Sequence, residues 1–411
     1  MKALLLVVAA LACLAFADAA AAHSRTLVVD RDKVQCPRAD YTSIQAAVNA
    51  ARAGDTVVVC PDLYTEDVTV SKPLTITGTG GGDDEDSAAV PIDCFTPSLA
   101  DPATQAIVEG AVFAFDLQAS NITVRRLVIQ NSATGVLTHD AFSGYRLSQN
   151  VFQANDGAGV NFLSSGARLS RIDHNCLRFN GAGGVTSEGG DLRRARLDHN
   201  HTFRVGGFDI SGAGARQDVT VDGNVSREDF SLILLSNSTE SRIVGNDVGA
   251  SFNGISVAGG NVGLEVALNR VHDGTGSGIL IATILSFPVF PASTGTRVVG
   301  NEVSGFTFEG IQAFIGSASS SFIVGNDTHD NGRDGIRLRA GNTGNTVAVN
   351  RSDRNGRNGI YAQGATGNRF LANTMHGNVV FDARDDARTT NTWTHNACAT
   401  DSPPGTICGV G

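Results

Sequence analysis

Residues 323–361 read IVGNDTHDNGRDGIRLRAGNTGNTVAVNRSDRNGRNGIY, two turns of one pattern. Ile323 stands three positions before Asn326, and Val347 three before Asn350. After each Asn comes a polar turn, then Gly335-Ile336 and Gly359-Ile360. Around these, apolar and polar residues alternate over a few positions, which is strand period, and no helix period of useful length occurs. Working outward, the Asn recurs at Asn131, Asn150, Asn175, Asn200, Asn224, Asn246, Asn269, Asn301, Asn326, Asn350, Asn373 and Asn396. The gaps are 19, 25, 25, 24, 22, 23, 32, 25, 24, 23 and 23 residues, the long one holding an insertion, FPVFP, at 287–291. Self-similarity at this period marks a solenoid.

One unit cannot bury its apolar face, but units stacked ~4.8 Å apart can. Ile172, Leu197, Val221, Ile243, Val266, Val298 and Phe370 repeat the position of Ile323, and form one interior column. Val160, Val185, Phe208, Ile255, Ile279 and Ile311, each after a Gly, form a second. The Asn then serves as a left-handed turn residue whose amide bonds to the Asn of the next coil. Laddered in this way, the sequons at Asn200, Asn224, Asn326 and Asn350 are inaccessible to glycosylation.

Composition agrees. Gly is 48 of 411 residues without a Gly-X-Y period, which excludes collagen, and an apolar share of 41% argues against wholesale disorder. A net charge of −10 with dispersed Arg excludes a nucleic-acid partner, which needs a basic stripe. The N-terminus, MKALLLVVAALACLAFADAAAAH, has Lys2, a short apolar run and small residues before position 23. It reads as a signal peptide over 1–22, so the protein is expected to be secreted, extracellular or cell-surface, with no transmembrane segment. Six cysteines follow it. Cys36 pairs with Cys60 and Cys398 with Cys408, each stapling one end; the pairing of Cys94 and Cys176 is left open. Ile44, Ala47, Val48 and Ala51 have helix spacing behind Thr42 or Ser43 as N-cap, a short helix that can cover an open strand edge.

The segment YTSIQAAVNAARAGDTVVVCPDLYTEDVTVSKPLTITGTG (41–80) resembles the N-terminal cap and first coil of exported bacterial right-handed parallel β-helix proteins of the pectin-lyase-like group. NGRDGIRL and NGRNGIYA resemble that group's generic repeat, and NTWTHNACATDSPPGTIC resembles the tail of its exported members. The resemblance implies an all-β, right-handed parallel β-helix with a short N-terminal capping helix and roughly eleven or twelve coils. The expected division is a signal peptide (1–22), cap and first coil (23–80), an acidic, Gly-rich loop (81–105), repeats (106–385) and a disulfide tail (386–411). It also implies a monomer that binds or processes a polysaccharide or cell-surface polymer, as lyase, hydrolase or epimerase. The alternatives are a non-catalytic binding or spacer protein and, more weakly, a metal-handling one. The family's pectate-lyase, polygalacturonase and alginate-epimerase signatures are absent as sets, and the one Trp, Trp393, lies in the tail.

Stacking can still assemble a site that no linear motif shows. Asp173, Asp198 and Asp222 stand two positions before successive Asn residues, with His174 and His199 beside two of them. Strand parity turns the carboxylates outward, where they could bind a divalent cation such as Ca²⁺ or serve as acid and base on a glycan. Three residues after the Asn stand His329, Asp353 and His376, a set that could hold a transition metal. Arg337 and Tyr361, with Arg333 nearby, suit the carboxylates of uronic acids. They continue a mixed column of Asn161, Thr186, Asp209, Ile233, Ser256, Leu280 and Gln312. Four Tyr and one Trp offer few ring platforms for neutral sugars.

Overall fold

The computed structural model describes residues 24–79, 94–96, 99–211, 214–283, 290–387 and 390–408. The expected signal peptide, the acidic run at 83–86 and most of the 287–291 insertion lie outside the described residues. The rest is a parallel β-solenoid of about twelve turns. In the first sheet, Thr26–Val29, Thr56–Val59 and Thr75–Gly78 are followed by one strand per turn, from Thr123–Arg125 to Thr392–Thr394. The second sheet holds the strands after each Asn and after each Gly, two runs joined by the long strands Val225–Leu235 and Asp247–Ala258.

Register follows the apolar columns. Leu147, Ile172, Leu197, Val221 and Ile243 are partners in successive strands, and the column ends with Phe370 against Trp393, rings 3.9 Å apart. All are buried, each contributing ~1.5–3 kcal/mol of apolar burial. Ile233 is one place off its expected position. Its backbone is in register with Phe208 and Ile255, and Leu234 is in register with Asp209. The β-bulges on the same strand, at 227–231, shift its parity.

The Asn ladder forms, with one correction to its mechanism. Oδ1 of each Asn accepts both the backbone N–H and the Nδ2 of the Asn one coil earlier, as Asn175 does from Asn150 at 2.9 and 3.1 Å. The links continue to Asn396, and every member from Asn150 is buried. The left-handed residue is the one before the Asn: Gln149, His174, His199, Gly223, Gly245, Leu268, Gly300, Gly325, Val349, Ala372 and His395 all have φ between 53° and 66°, or 52° at Ala372. The turn therefore precedes the amide, which is left free to point along the axis. Asn131 is not in the ladder; it is exposed and donates to Glu109, while Leu127 N–H bonds to Asn150. Shorter ladders run at other corners through Asn155–Asn180, Asn331–Asn355–Asn378 and Asn345–Asn368–Asn391.

Helix α1 (Ile44–Ala50) is N-capped by Ser43, whose hydroxyl accepts the Ala46 N–H at 3.1 Å, and it buries Ile44, Ala47 and Val48. Glu66 takes the N–H groups of Ile44 and Gln45 at 2.8 and 3.0 Å. Three disulfides are present: Cys36–Cys60, Cys398–Cys408 and Cys94–Cys176. Among the described residues, no helix is long and apolar enough to cross a membrane.

Candidate functional site

The strand after each ladder Asn turns its middle residue inward and its flanking residues outward, because strand side chains alternate. Phe152, Leu177, Thr202, Ser226, Val248 and Val271 are the buried middle residues. The third residues line up outward in register: Gln153, Arg178, Phe203, Arg227, Gly249, His272, Ser304, His329, Asp353 and His376. At one end of this face sits a short segment, 94–96. It is tied by Cys94–Cys176 over a small apolar cluster of Ile107, Val128 and Val151. Buried Arg178 holds it too, donating to the Thr96 carbonyl at 2.9 Å and to Gln153 at 2.7 and 2.9 Å.

Beside this segment opens a cavity of about 520 Å³ lined by Phe95, Phe203, Arg227, Glu228, Gly249, His272 and Asp273. Gly249 makes the gap. A Cβ there would stand 3.2 Å from both Arg227 Cδ and His272 Cε1. Phe95 stacks on His201 (5.4 Å, 16°) and meets Phe203 edge-on at 6.0 Å; the Arg227 guanidinium lies 5.9 Å from its centre. On the far side, His272 Nδ1 is 2.8 Å from Asp273 and Nε2 is 2.9 Å from Asp247. Burial pushes the Asp247 carboxyl up, but hydrogen bonds from Arg227 and His272 outweigh it and hold the group below the usual carboxylate range. The cavity thus offers a cation, an imidazole between two carboxylates, and two aromatic rings. Close by in sequence, Phe230 and Phe252 stack at 5.0 Å with Phe230 exposed.

The Asp column is assembled, with Asp173, Asp198 and Asp222 in register. Its carboxylates are not bare, however: Arg146, Arg171 and Arg196 form a parallel column two residues earlier. Arg171 donates to Asp198 at 2.8 and 2.5 Å, and Arg196 to Asp222 at 2.7 Å. Asp173 and Asp198 are buried beneath these guanidiniums, and the rings of His174 and His199 stack 5.2 Å apart beside them. For Asp198 burial raises the carboxyl, yet Arg171 and His199 together hold it below the ordinary value. Interleaved arginines relieve the like-charge repulsion along the column.

His329, Asp353 and His376 are also neighbours in register but are turned to separate partners. His329 Nδ1 meets Asp330 at 2.7 Å, and Asp353 accepts from Arg351 at 2.6 Å and from the His376 backbone at 2.9 Å. Asp330, bonded by Arg354 and His329, drops to about 2. Among the described residues, the one group of His, Cys, Asp or Glu able to converge on an ion is elsewhere, at Asp30, Asp32 and Asp62. Arg337 and Tyr361 do come together, guanidinium 5.5 Å from the ring, on the strands after Gly. Arg337 is nearly buried and engaged by Glu309 at 2.5 Å and Gln363 at 2.6 Å. Burial, then Asp386, pushes the Tyr361 hydroxyl up to about 12. Arg333 is exposed on a turn, stacked on Phe308 at 4.2 Å.

The cavity residues were within reach of the sequence. Counting three past the Asn, as for His329, also reaches Phe203, Arg227 and His272 in earlier coils. A ring count limited to Tyr and Trp missed the platforms, which here are Phe. Placing Phe95 needs the disulfide.

A family model described as a right-handed beta helix region matches residues 289–398. No curated protein matches the chain by sequence. Among solved structures, the A-module of the Azotobacter vinelandii mannuronan C-5 epimerase AlgE4 is similar with a TM-score of 0.50 and 14% identity, over 89% of this chain and 91% of that one. The Dettilon tailspike protein gp208 has a TM-score of 0.50 and 16% identity, over 82% of this chain and 64% of that one. At these identities the likeness concerns the fold.

Proposed function

We propose that this right-handed parallel β-helix is an exported protein that binds an acidic polysaccharide along the face running from Phe203 to His376. The cavity beside Phe95 then takes the sugar on which it acts. The observation that carries the reading is the placement of Arg227 and His272 across the gap left by Gly249. A guanidinium suits a uronate carboxylate, and pairing with it makes the C–H beside the carboxylate more acidic. An imidazole at the same cavity can take that proton, the step shared by lyases and epimerases. Phe95 and Phe203 offer ring faces to the apolar side of a sugar. The three disulfides fit an oxidising compartment outside the cytosol. Helix α1, packed on the first strands, serves as the cap.

A second reading, binding without turnover, is favoured by one feature: both His272 nitrogens already face carboxylates. Incubating the purified protein with mannuronate, galacturonate and glucuronate polymers and a neutral glucan, then analysing products, tests both. Mannuronan comes first, because the AlgE4 module of similar fold is named for acting on it. An unsaturated end or an inverted C5 supports the first reading, and binding without change selects the second. Absence of binding to every acidic polymer refutes both.

A further inference from the structure

Asp30 follows the strand Thr26–Val29, and Asp62 opens the strand Asp62–Thr65. Asp32 lies on the connecting loop, which the Cys36–Cys60 bridge clamps to the connection just before Asp62, between the strands Thr56–Val59 and Asp62–Thr65. One carboxylate oxygen from each lies within 4.8 Å of those of the other two. That is the span of two Ca–O bonds of ~2.4 Å. Asp30 is 0% exposed; its Oδ2 accepts the Cys36 N–H at 2.5 Å, but its Oδ1 accepts nothing. Asp62 repeats the arrangement: Oδ1 accepts the Leu63 N–H at 2.7 Å, and its buried Oδ2 has no donor. Two buried carboxylate oxygens without donors beside a third carboxylate are costly unless a positive charge joins them.

We propose that Asp30, Asp32 and Asp62 form a calcium site that ties the loop after the first strand to the second coil. The donors are all hard oxygens, and the cysteines beside them are used in a disulfide, which disfavours zinc and copper. Asp32 is exposed, so one side of the site is open to the waters that complete six to eight ligands. At the rim the Gln35 amide N–H groups donate to Asp32 Oδ1 at 3.1 Å and to the Pro61 carbonyl at 3.2 Å, and the Val34 N–H donates to Asp32 Oδ1 at 2.8 Å, which fixes the loop. Tyr64 is buried next to the cluster. Its hydroxyl donates to the Cys60 carbonyl at 2.9 Å and reaches the Val29 carbonyl at 3.3 Å, backbone next to the acidic residues.

Terbium, a luminescent stand-in for calcium, would be excited through Tyr64. The mature protein with its disulfides intact is expected to bind one equivalent of Ca²⁺ by titration calorimetry. It should also show saturable terbium emission that Ca²⁺ displaces and Mg²⁺ displaces at least tenfold less well. Asp32→Asn, at an exposed position where folding is not at risk, should weaken Ca²⁺ binding at least tenfold, and Asp62→Asn likewise. Tyr64→Phe should keep the calorimetric binding and lose the emission. No Ca²⁺ binding at millimolar concentration, or binding unchanged in the Asp32→Asn/Asp62→Asn double variant, would overturn the proposal. The test involves no polysaccharide, so its outcome is independent of the function proposed above.

Discussion

Asn224 Oδ1 accepts two hydrogen bonds from Asn200, from the backbone N–H at 2.9 Å and from Nδ2 at 3.0 Å. Asn224 in turn donates the same pair to Asn246. The side chain of each coil thus satisfies the main chain of the coil before it, inside a water-free corner. Asn224→Ala leaves the Asn200 backbone N–H without its acceptor, while Nδ2 keeps the Ile172 and Asp198 carbonyls, and it removes the Asn224 Nδ2 bonds to the Leu197 and Asp222 carbonyls, at about 1–3 kcal/mol for each buried unsatisfied group. The expected loss is about 2–4 kcal/mol, read from the shift in denaturant midpoint. A loss below about 0.5 kcal/mol would mean the ladder is incidental.

Val349 occupies the turn position that Gly223, Gly245, Gly300 and Gly325 fill elsewhere. Its φ is 56°, a conformation unfavourable for a β-branched residue, and its side chain is 61% exposed. The packing it contributes is small, so Val349→Gly is expected to stabilise the protein by about 1 kcal/mol. Thermal unfolding of the two proteins side by side checks the sign.

Asp229 replaces an Asn at the second corner: it accepts the Val205 N–H at 2.9 Å, as Asn180 accepts that of Asn155 at 3.1 Å. Burial raises its carboxyl to about 6, against the pull of hydrogen bonds from Thr202, Val205 and Ser226. The folded state therefore holds the proton more tightly than the unfolded chain. The cost of ionising inside the fold is absent below about pH 4 and complete above about pH 6. Asp229→Asn should be more stable than the parent by about 2–3 kcal/mol at pH 7, with the difference vanishing near pH 4. A pH-independent difference would contradict the assignment.

The Cys94–Cys176 bridge, spanning 82 residues, positions Phe95 at the cavity. Replacing both cysteines with Ala is expected to weaken binding of an acidic oligosaccharide about tenfold, or ~1.4 kcal/mol, with parallel strand pairing retained by circular dichroism. Unchanged affinity would remove Phe95 from the site.

The solenoid was legible because its determinants are local and repeated: an apolar residue, a turn, an Asn, about every 24 residues. Which residue of the turn carries positive φ was not, since His174 and Val349 give no sign of left-handed backbone in sequence. Outward columns were predictable in register but not in partnership. Asp198 looked like a bare carboxylate until Arg171, on the neighbouring strand, covered it. The cavity rests on an absence, the missing side chain of Gly249, and on a disulfide whose pairing the spacing left open. Gly249 stands three past Asn246 and is readable in register, but the segment that the disulfide lays beside it is not.

The central claim is that Arg227 recognises an acidic sugar in the cavity it shares with His272. It is tested most directly by calorimetric titration of an oligouronate into the parent protein, Arg227→Ala and Arg297→Ala, whose arginine lies on the first sheet. The account predicts at least a tenfold loss of affinity for Arg227→Ala and none for Arg297→Ala. Equal affinity in all three proteins would contradict it.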